Sequence, residues 1–105
     1  MKNNKSLGQH WLKNRGILDE IADLASVGLD KDTLCVEIGP GLGTLTSSLL
    51  RRFSQVIAVE YDEKLAENLL KSFPGKNLQV VHGDILQTDL AELEKDKPYV
   101  AVGNI

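Results

Sequence analysis

The stretch Glu37-Ile38-Gly39-Pro40-Gly41-Leu42-Gly43 is the part of the sequence best suited to holding a ligand. An apolar run feeds a glycine-rich turn, and a helical pattern follows. Glycines let the backbone turn sharply and let a ligand approach closely. The helix start beyond them offers unpaired N–H groups. The glycine spacing is G-x-G-x-G. The dinucleotide fingerprint is G-x-G-x-x-G, with a pyrophosphate at the helix end. Here the third glycine falls one residue early, and Pro40 stiffens the loop. Both features favour S-adenosyl-L-methionine, which has no phosphate to cradle, over a nicotinamide dinucleotide. Taken alone, the loop also fits an ordinary tight turn.

Glu60 closes the next apolar run, 21 residues after Gly39. A carboxylate there is placed to accept both ribose hydroxyls of a nucleoside cofactor, since its two oxygens match a vicinal diol. Asp84 follows the third apolar run in Gly83-Asp84-Ile85. Its carboxylate can accept adenine amino hydrogens, and Ile85 can pack on the ring. Asn104 follows the fourth. An amide oxygen can accept a hydrogen bond from an exocyclic amine and localise its lone pair for attack on a methyl sulfonium. Such chemistry needs no base of raised pKa, because positioning and desolvation carry the rate. A solvated acid, a plain turn and an idle asparagine are the bland alternatives for these positions.

The elements that must position these groups are legible as alternating periods. Ile17, Leu18, Ile21, Leu24 and Ala25 recur at helical spacing, and Gly28 follows as a stop, predicting a helix at about 16–27. Thr33 to Ile38 reads as a buried strand. Leu45, Leu49, Leu50 and Phe53 mark a second helix, and Gln55 to Val59 a second strand. Asp62 can cap a helix with Leu65, Leu69 and Phe73 on its inner face. Leu78 to His82 and Tyr99 to Val102 are further strands, with a possible helical stretch near Asp89 to Glu94. Strand and helix in alternation imply parallel pairing and right-handed crossovers. The expected fold is α/β, the first half of a doubly wound, Rossmann-like sheet of about four parallel strands. Its ligand rim lies at the carboxyl ends of those strands.

Bulk properties narrow the class. A chain of 105 residues holds one small domain. A single cysteine, Cys35, excludes an internal disulfide framework. No apolar run approaches the roughly 18 residues of a membrane span, and no hydrophobic signal core leads the chain, so a cytoplasmic protein without membrane contact is expected. Net charge is −3, unevenly spread. Lys2, Lys5, Lys13 and Arg15 give the first fifteen residues +4, against −7 for the remainder. Such an arm could touch phosphates, or could be a solubilising tail.

Together these residues resemble the ribosomal RNA adenine dimethyltransferase family. The matching stretches are Ser6-Leu7-Gly8-Gln9-His10-Trp11-Leu12, Val36 to Thr46, Ala58-Val59-Glu60-Tyr61-Asp62, Gly83-Asp84 and Gly103-Asn104-Ile105. They run nearly end to end, and the first is absent from methyltransferases in general. The resemblance implies S-adenosyl-L-methionine as cofactor, no metal, and a class I methyltransferase fold. It implies cofactor contacts from His10 and Leu12 near the methionine part and from Gly39 and Gly41 in the loop. Glu60 would serve the ribose and Asp84 and Ile85 the adenine, with Tyr61 a further cofactor contact. Asn104 would sit near the transferred methyl, as both cofactor contact and catalytic residue. His10 stands where asparagine is also common, so it is not expected to act as a base. His82 matches no family contact and is expected to be structural.

The resemblance also implies a layout. Residues 1–15 would be a basic arm bearing the cofactor-contacting motif, and 16–105 a partial methyltransferase domain. The family continues past the asparagine with proline and a base-stacking aromatic, then more sheet and a helical domain. The expectation is therefore a chain inactive alone, belonging to an enzyme that dimethylates adenine N6 in small-subunit, 16S-type ribosomal RNA. GPGLGTLT is more like that branch than like the large-subunit resistance methyltransferases, the first alternative. A non-catalytic cofactor-binding or assembly module is the second. The implied strand order is third, second, first, fourth. Residues 99–102 would then form an apolar edge and invite self-association.

Overall fold

The computed structural model describes residues 15–29, 32–87 and 98–103. Its elements are α1 (Arg15–Ser26), β1 (Leu34–Ile38), α2 (Thr44–Arg52), β2 (Val56–Glu60), α3 (Glu63–Ser72), β3 (Leu78–His82), a 3-10 turn (Ile85–Gln87) and β4 (Tyr99–Gly103). The four strands pair in parallel, in the order β3-β2-β1-β4. The helical stretch expected near 89–94 lies outside the described residues. Among the described residues no helix is long and apolar enough to cross a membrane.

The strand sequences explain this order. All five residues of β2 are buried, and so are the first four of β1. Their apolar runs, rather than alternation, suit central parallel strands covered on both faces. β3 and β4 are only half-buried and form the two edges of the described sheet. From β1 the chain advances to β2 and β3, then returns to pair β4 on the other side of β1. The order reverses beside β1, and at such a switch point the loops leaving neighbouring strands diverge and open a crevice.

One face of the sheet carries Cys35, Val56, Leu78, Val100 and Val102 against Leu18, Ala22, Leu45, Leu49 and Phe53 of α1, α2 and its end. The other face joins Leu34, Val36, Ile57 and Val59 to Val81 and Ile85. In α1 the buried stripe is Leu18 and Ala22, flanked by Ile21 and Ala25. Leu24, expected on this face, is 75% exposed, and the smaller Ala22 takes the buried place. In α3 the buried residues are Ala66 and Leu69. Asp62 caps that helix as expected, its Oδ1 accepting the Leu65 N–H at 3.0 Å.

Polar contacts fasten α1 to α2. Arg15 donates to Ser48 Oγ at 2.7 Å and to the Thr44 carbonyl at 3.2 Å. Ser48 Oγ donates in turn to Asp19 Oδ1 at 2.7 Å, and Arg52 Nε donates to Asp23. The Ser48 hydroxyl, and then the neighbouring arginines, hold the Asp19 carboxyl below its ordinary pKa. Arg15, counted with the basic arm in the sequence, is thus the first residue of α1 and is engaged by α2.

Gly43 sets how closely the helices approach. Its φ is +87°, and a Cβ there would lie 2.7 Å from Leu69 Cδ1 and 3.0 Å from Phe73 Cε2. Gly39, at φ +66°, would place a Cβ in open space. Gly39→Ala is expected to cost only backbone strain, about 1–2 kcal/mol. Gly43→Ala adds overpacking and is expected to cost about 2–4 kcal/mol in total. Urea unfolding of the two variants checks this, and equal losses would show that the Leu69 and Phe73 contacts yield freely.

Candidate functional site

The carboxyl ends of β1, β2 and β3 meet around one pocket of about 320 Å³. Ile38 and Gly39 line it from β1, Val59, Glu60 and Tyr61 from β2, and Gly83, Asp84 and Ile85 from β3. Five expected site residues, Gly39, Glu60, Tyr61, Asp84 and Ile85, therefore share one wall. His10, Leu12 and Asn104 lie outside the described residues.

The end of β2 stitches the three loops together. Gly39 N–H donates to the Val59 carbonyl and Gly83 N–H to the Glu60 carbonyl, both at 2.9 Å. These bonds continue the parallel ladder beyond the strands and bring both turns toward Glu60. The Glu60 side chain, 6% exposed, completes the join. Its Oε1 accepts Gly41 N–H and its Oε2 accepts Asp62 N–H, each at 2.9 Å. Gly41, absent from the pocket wall, is bound to the site through this contact. A carboxylate offers about four lone-pair positions. With two taken by amides, Glu60 can still accept two hydroxyl hydrogens from a ligand.

The other groups are held by short-range contacts. Asp84 Oδ1 accepts Leu86 N–H at 2.9 Å and so caps the 3-10 turn. Tyr61 is 75% exposed beside the pocket. His82, paired in register with Glu60, donates from Nε2 to the Tyr61 carbonyl at 3.0 Å. This contact gives His82 a structural tie to the loop that bears Tyr61.

Glu37 was given no role of its own in the sequence reading. Its side chain is 2% exposed, and Oε1 accepts the Thr46 hydroxyl. Burial pushes its pKa up from 4.5 to about 7; the Thr46 hydroxyl opposes that rise and the Glu60 charge adds to it. Two acids thus sit beneath the glycine loop, one tied to its Gly41 amide and the other tied to α2. The available signal was a charged residue inside the apolar run TLCVEI.

The sheet order and pocket rim are those of a Rossmann-like domain, and likeness to solved methyltransferases places it in the class I methyltransferase fold. Solved structures that share this fold include the S-adenosylmethionine-bound amino pentose methyltransferase CalS10 and a coclaurine N-methyltransferase bound to S-adenosylhomocysteine. Within that class the chain belongs to the ribosomal RNA adenine dimethylase family, whose model matches residues 1–105. A curated relative, the ribosomal RNA small subunit methyltransferase A of Dehalococcoides mccartyi strain CBDB1, is 46% identical over 100% of this chain and 36% of the relative. This chain therefore spans about a third of that relative's length. The crystal structure of the 23S rRNA methyltransferase ErmE matches with a TM-score of 0.74 and 34% identity, over 87% of this chain and 35% of that one. A dimethyladenosine transferase from Plasmodium falciparum matches with a TM-score of 0.70 and 33% identity, over 89% of this chain and 32% of that one.

The Glu37 pKa has a signed consequence. The folded chain holds this proton more tightly than the unfolded chain. The resulting stability is complete below about pH 4.5 and is lost as pH rises through about 7. Between those limits the wild type is expected to lose about 3 kcal/mol more than Glu37→Gln. Denaturant unfolding across the pH series measures the gap, and parallel curves would mean that Glu37 ionises as easily folded as unfolded.

Proposed function

We propose that this chain carries the S-adenosyl-L-methionine site of an enzyme that dimethylates adenine N6 in small-subunit, 16S-type ribosomal RNA during ribosome biogenesis. The observation that carries the reading is the buried Glu60 carboxylate, which faces a pocket of nucleoside size with lone pairs to spare. In this reading Glu60 accepts the ribose hydroxyls, with Tyr61 beside it. Asp84 accepts the adenine amino hydrogens, and Ile85 packs on the ring. Gly39 leaves room for close approach, because the place a Cβ would take is empty. His10 and Leu12 serve the methionine part.

When bound, S-adenosyl-L-methionine supplies a methyl group on an electrophilic sulfonium. The chain's own contribution is orientation. The Asn104 amide oxygen accepts a hydrogen bond from the target amine, which turns the nitrogen lone pair out of conjugation with the ring. Closing the site against water strengthens that hydrogen bond.

A second reading, methylation of a large-subunit adenine, is favoured by the likeness to the 23S rRNA methyltransferase ErmE. The small-subunit reading is preferred because curated relatives at 42–46% identity carry the small-subunit name, against 34% identity for ErmE.

Calorimetric titration tests the cofactor assignment. Glu60→Ala is expected to weaken S-adenosyl-L-methionine binding by roughly tenfold or more, the loss of two charge-assisted hydrogen bonds. It also frees two loop amides, so a 2′-deoxyribose analogue of the cofactor separates the roles. The missing hydroxyl should weaken binding to the wild type and leave Glu60→Ala indifferent. An equal loss in both proteins would reduce Glu60 to a loop fastener.

A further inference from the structure

A second concavity lies away from the pocket just described, where α2 meets the chain leaving α3. It has a volume of about 350 Å³ and is lined by Ser47, Leu50, Arg51, Phe73 and Lys76. Ser47, Leu50 and Arg51 follow each other at helical spacing on α2. Phe73 ends α3, and Lys76 sits in the turn before β3. Among the described residues no acid lines this concavity, although the chain beyond residue 15 carries a charge of −7.

Helix dipoles explain part of this arrangement, since cations in the last turn complement the exposed carbonyls. Arg51 and Arg52 occupy the last turn of α2, and Lys71 that of α3. The dipoles do not explain Lys76, which lies outside both helices, nor an aromatic ring beside two cations. Arg52 is engaged by Asp23. Arg51 has a looser partner, Asp19 at 3.9 Å, and its side chain is 52% exposed. Asp19 also accepts the Ser48 hydroxyl at 2.7 Å, so Arg51 can turn to another anion without stranding that carboxylate.

The geometry points to a binding site for one nucleotide of single-stranded RNA. The Arg51 guanidinium and Lys76 ammonium would hold the phosphodiester, and Ser47 would offer a hydroxyl to it. The Phe73 ring and Leu50 would form the apolar wall for a base. A guanidinium fork matches two phosphate oxygens, and an aromatic face accepts any base. The inference rests on the ribosomal RNA reading above and adds to it a contact remote from the cofactor pocket.

Fluorescence anisotropy with a labelled single-stranded RNA of about ten nucleotides tests it on the whole chain. The double variant Arg51→Gln, Lys76→Gln is expected to bind roughly tenfold more weakly. The slope of log affinity against log salt should shrink by about 0.7, the value for one lost phosphate contact on a single strand. Phe73→Leu should weaken binding and leave that slope alone. Its melting is measured alongside, because Phe73 also lies close to Gly43. S-adenosyl-L-methionine titration of the double variant should match the wild type, so the functional reading is judged on a separate readout. The site is overturned if the wild type binds no RNA, or if the double variant keeps both affinity and slope. Adenosine monophosphate competing as well as RNA, at equal nucleotide concentration, overturns the assignment to RNA.

Discussion

The architecture of the rim depends on one buried carboxylate placed between two backbone amides. Glu60 ends β2, and its two oxygens accept N–H groups from Gly41 in the first loop and Asp62 at the start of α3. A buried charge is tolerated only when it is paired or hydrogen-bonded. Here the partners are neutral amides, each drawn from a segment whose position matters. The loop after β1 cannot swing outward without stripping Oε1, and α3 cannot shift without stripping Oε2. The backbone of β2 acts in the same direction by accepting from Gly39 and Gly83. Three turns that are distant in sequence are therefore located by one strand end.

Glu37 raises the cost of this arrangement. It lies on β1 beside Ala58 in register and feels the Glu60 charge. Two buried carboxylates near one another are not easily both ionised. Burial pushes Glu37, which has a single hydroxyl donor, toward the neutral acid. The pair thus divides its work, with Glu60 fastening the rim segments and Glu37 fastening α2 underneath. Gly43 lets the start of α2 lie close to Leu69, since a Cβ there would meet Leu69 Cδ1 at 2.7 Å.

The fold was largely legible in the sequence for a physical reason. Central parallel strands are apolar on both faces, so TLCVEI and QVIAV stand out as runs bounded by turns. The third-second-first-fourth order came from the family resemblance, and it matches the observed pairing. Gly39, Glu60 and Asp84 were legible as neighbours on one rim because each stands at the carboxyl end of its own strand, and all three line the same pocket. What escaped was set by tertiary contacts that no local period encodes. Leu24 fits a helical stripe but points outward, since α2 and the sheet meet α1 along Leu18 and Ala22. Arg15 looks like one more basic residue until Ser48, 33 positions away, accepts from it. Glu37 looks like part of a loop motif until its burial is known.

The charge distribution bears on how such a domain could meet a polyanion. An acidic body repels RNA at long range, with screening over about 8 Å at physiological ionic strength. Attraction must therefore come from local groups whose own acids are occupied elsewhere. At the α1–α2 seam, Asp19 is committed to Ser48 and Asp23 to Arg52, which leaves Arg51 as the least constrained cation of that network. Lys76 lies beside it on the same concavity. Asp19 is held by the Ser48 hydroxyl at 2.7 Å and reaches Arg51 only at 3.9 Å, so the Arg51 side chain stays half-exposed. Internal hydrogen bonding at the helix seam is what makes a cation available at the surface.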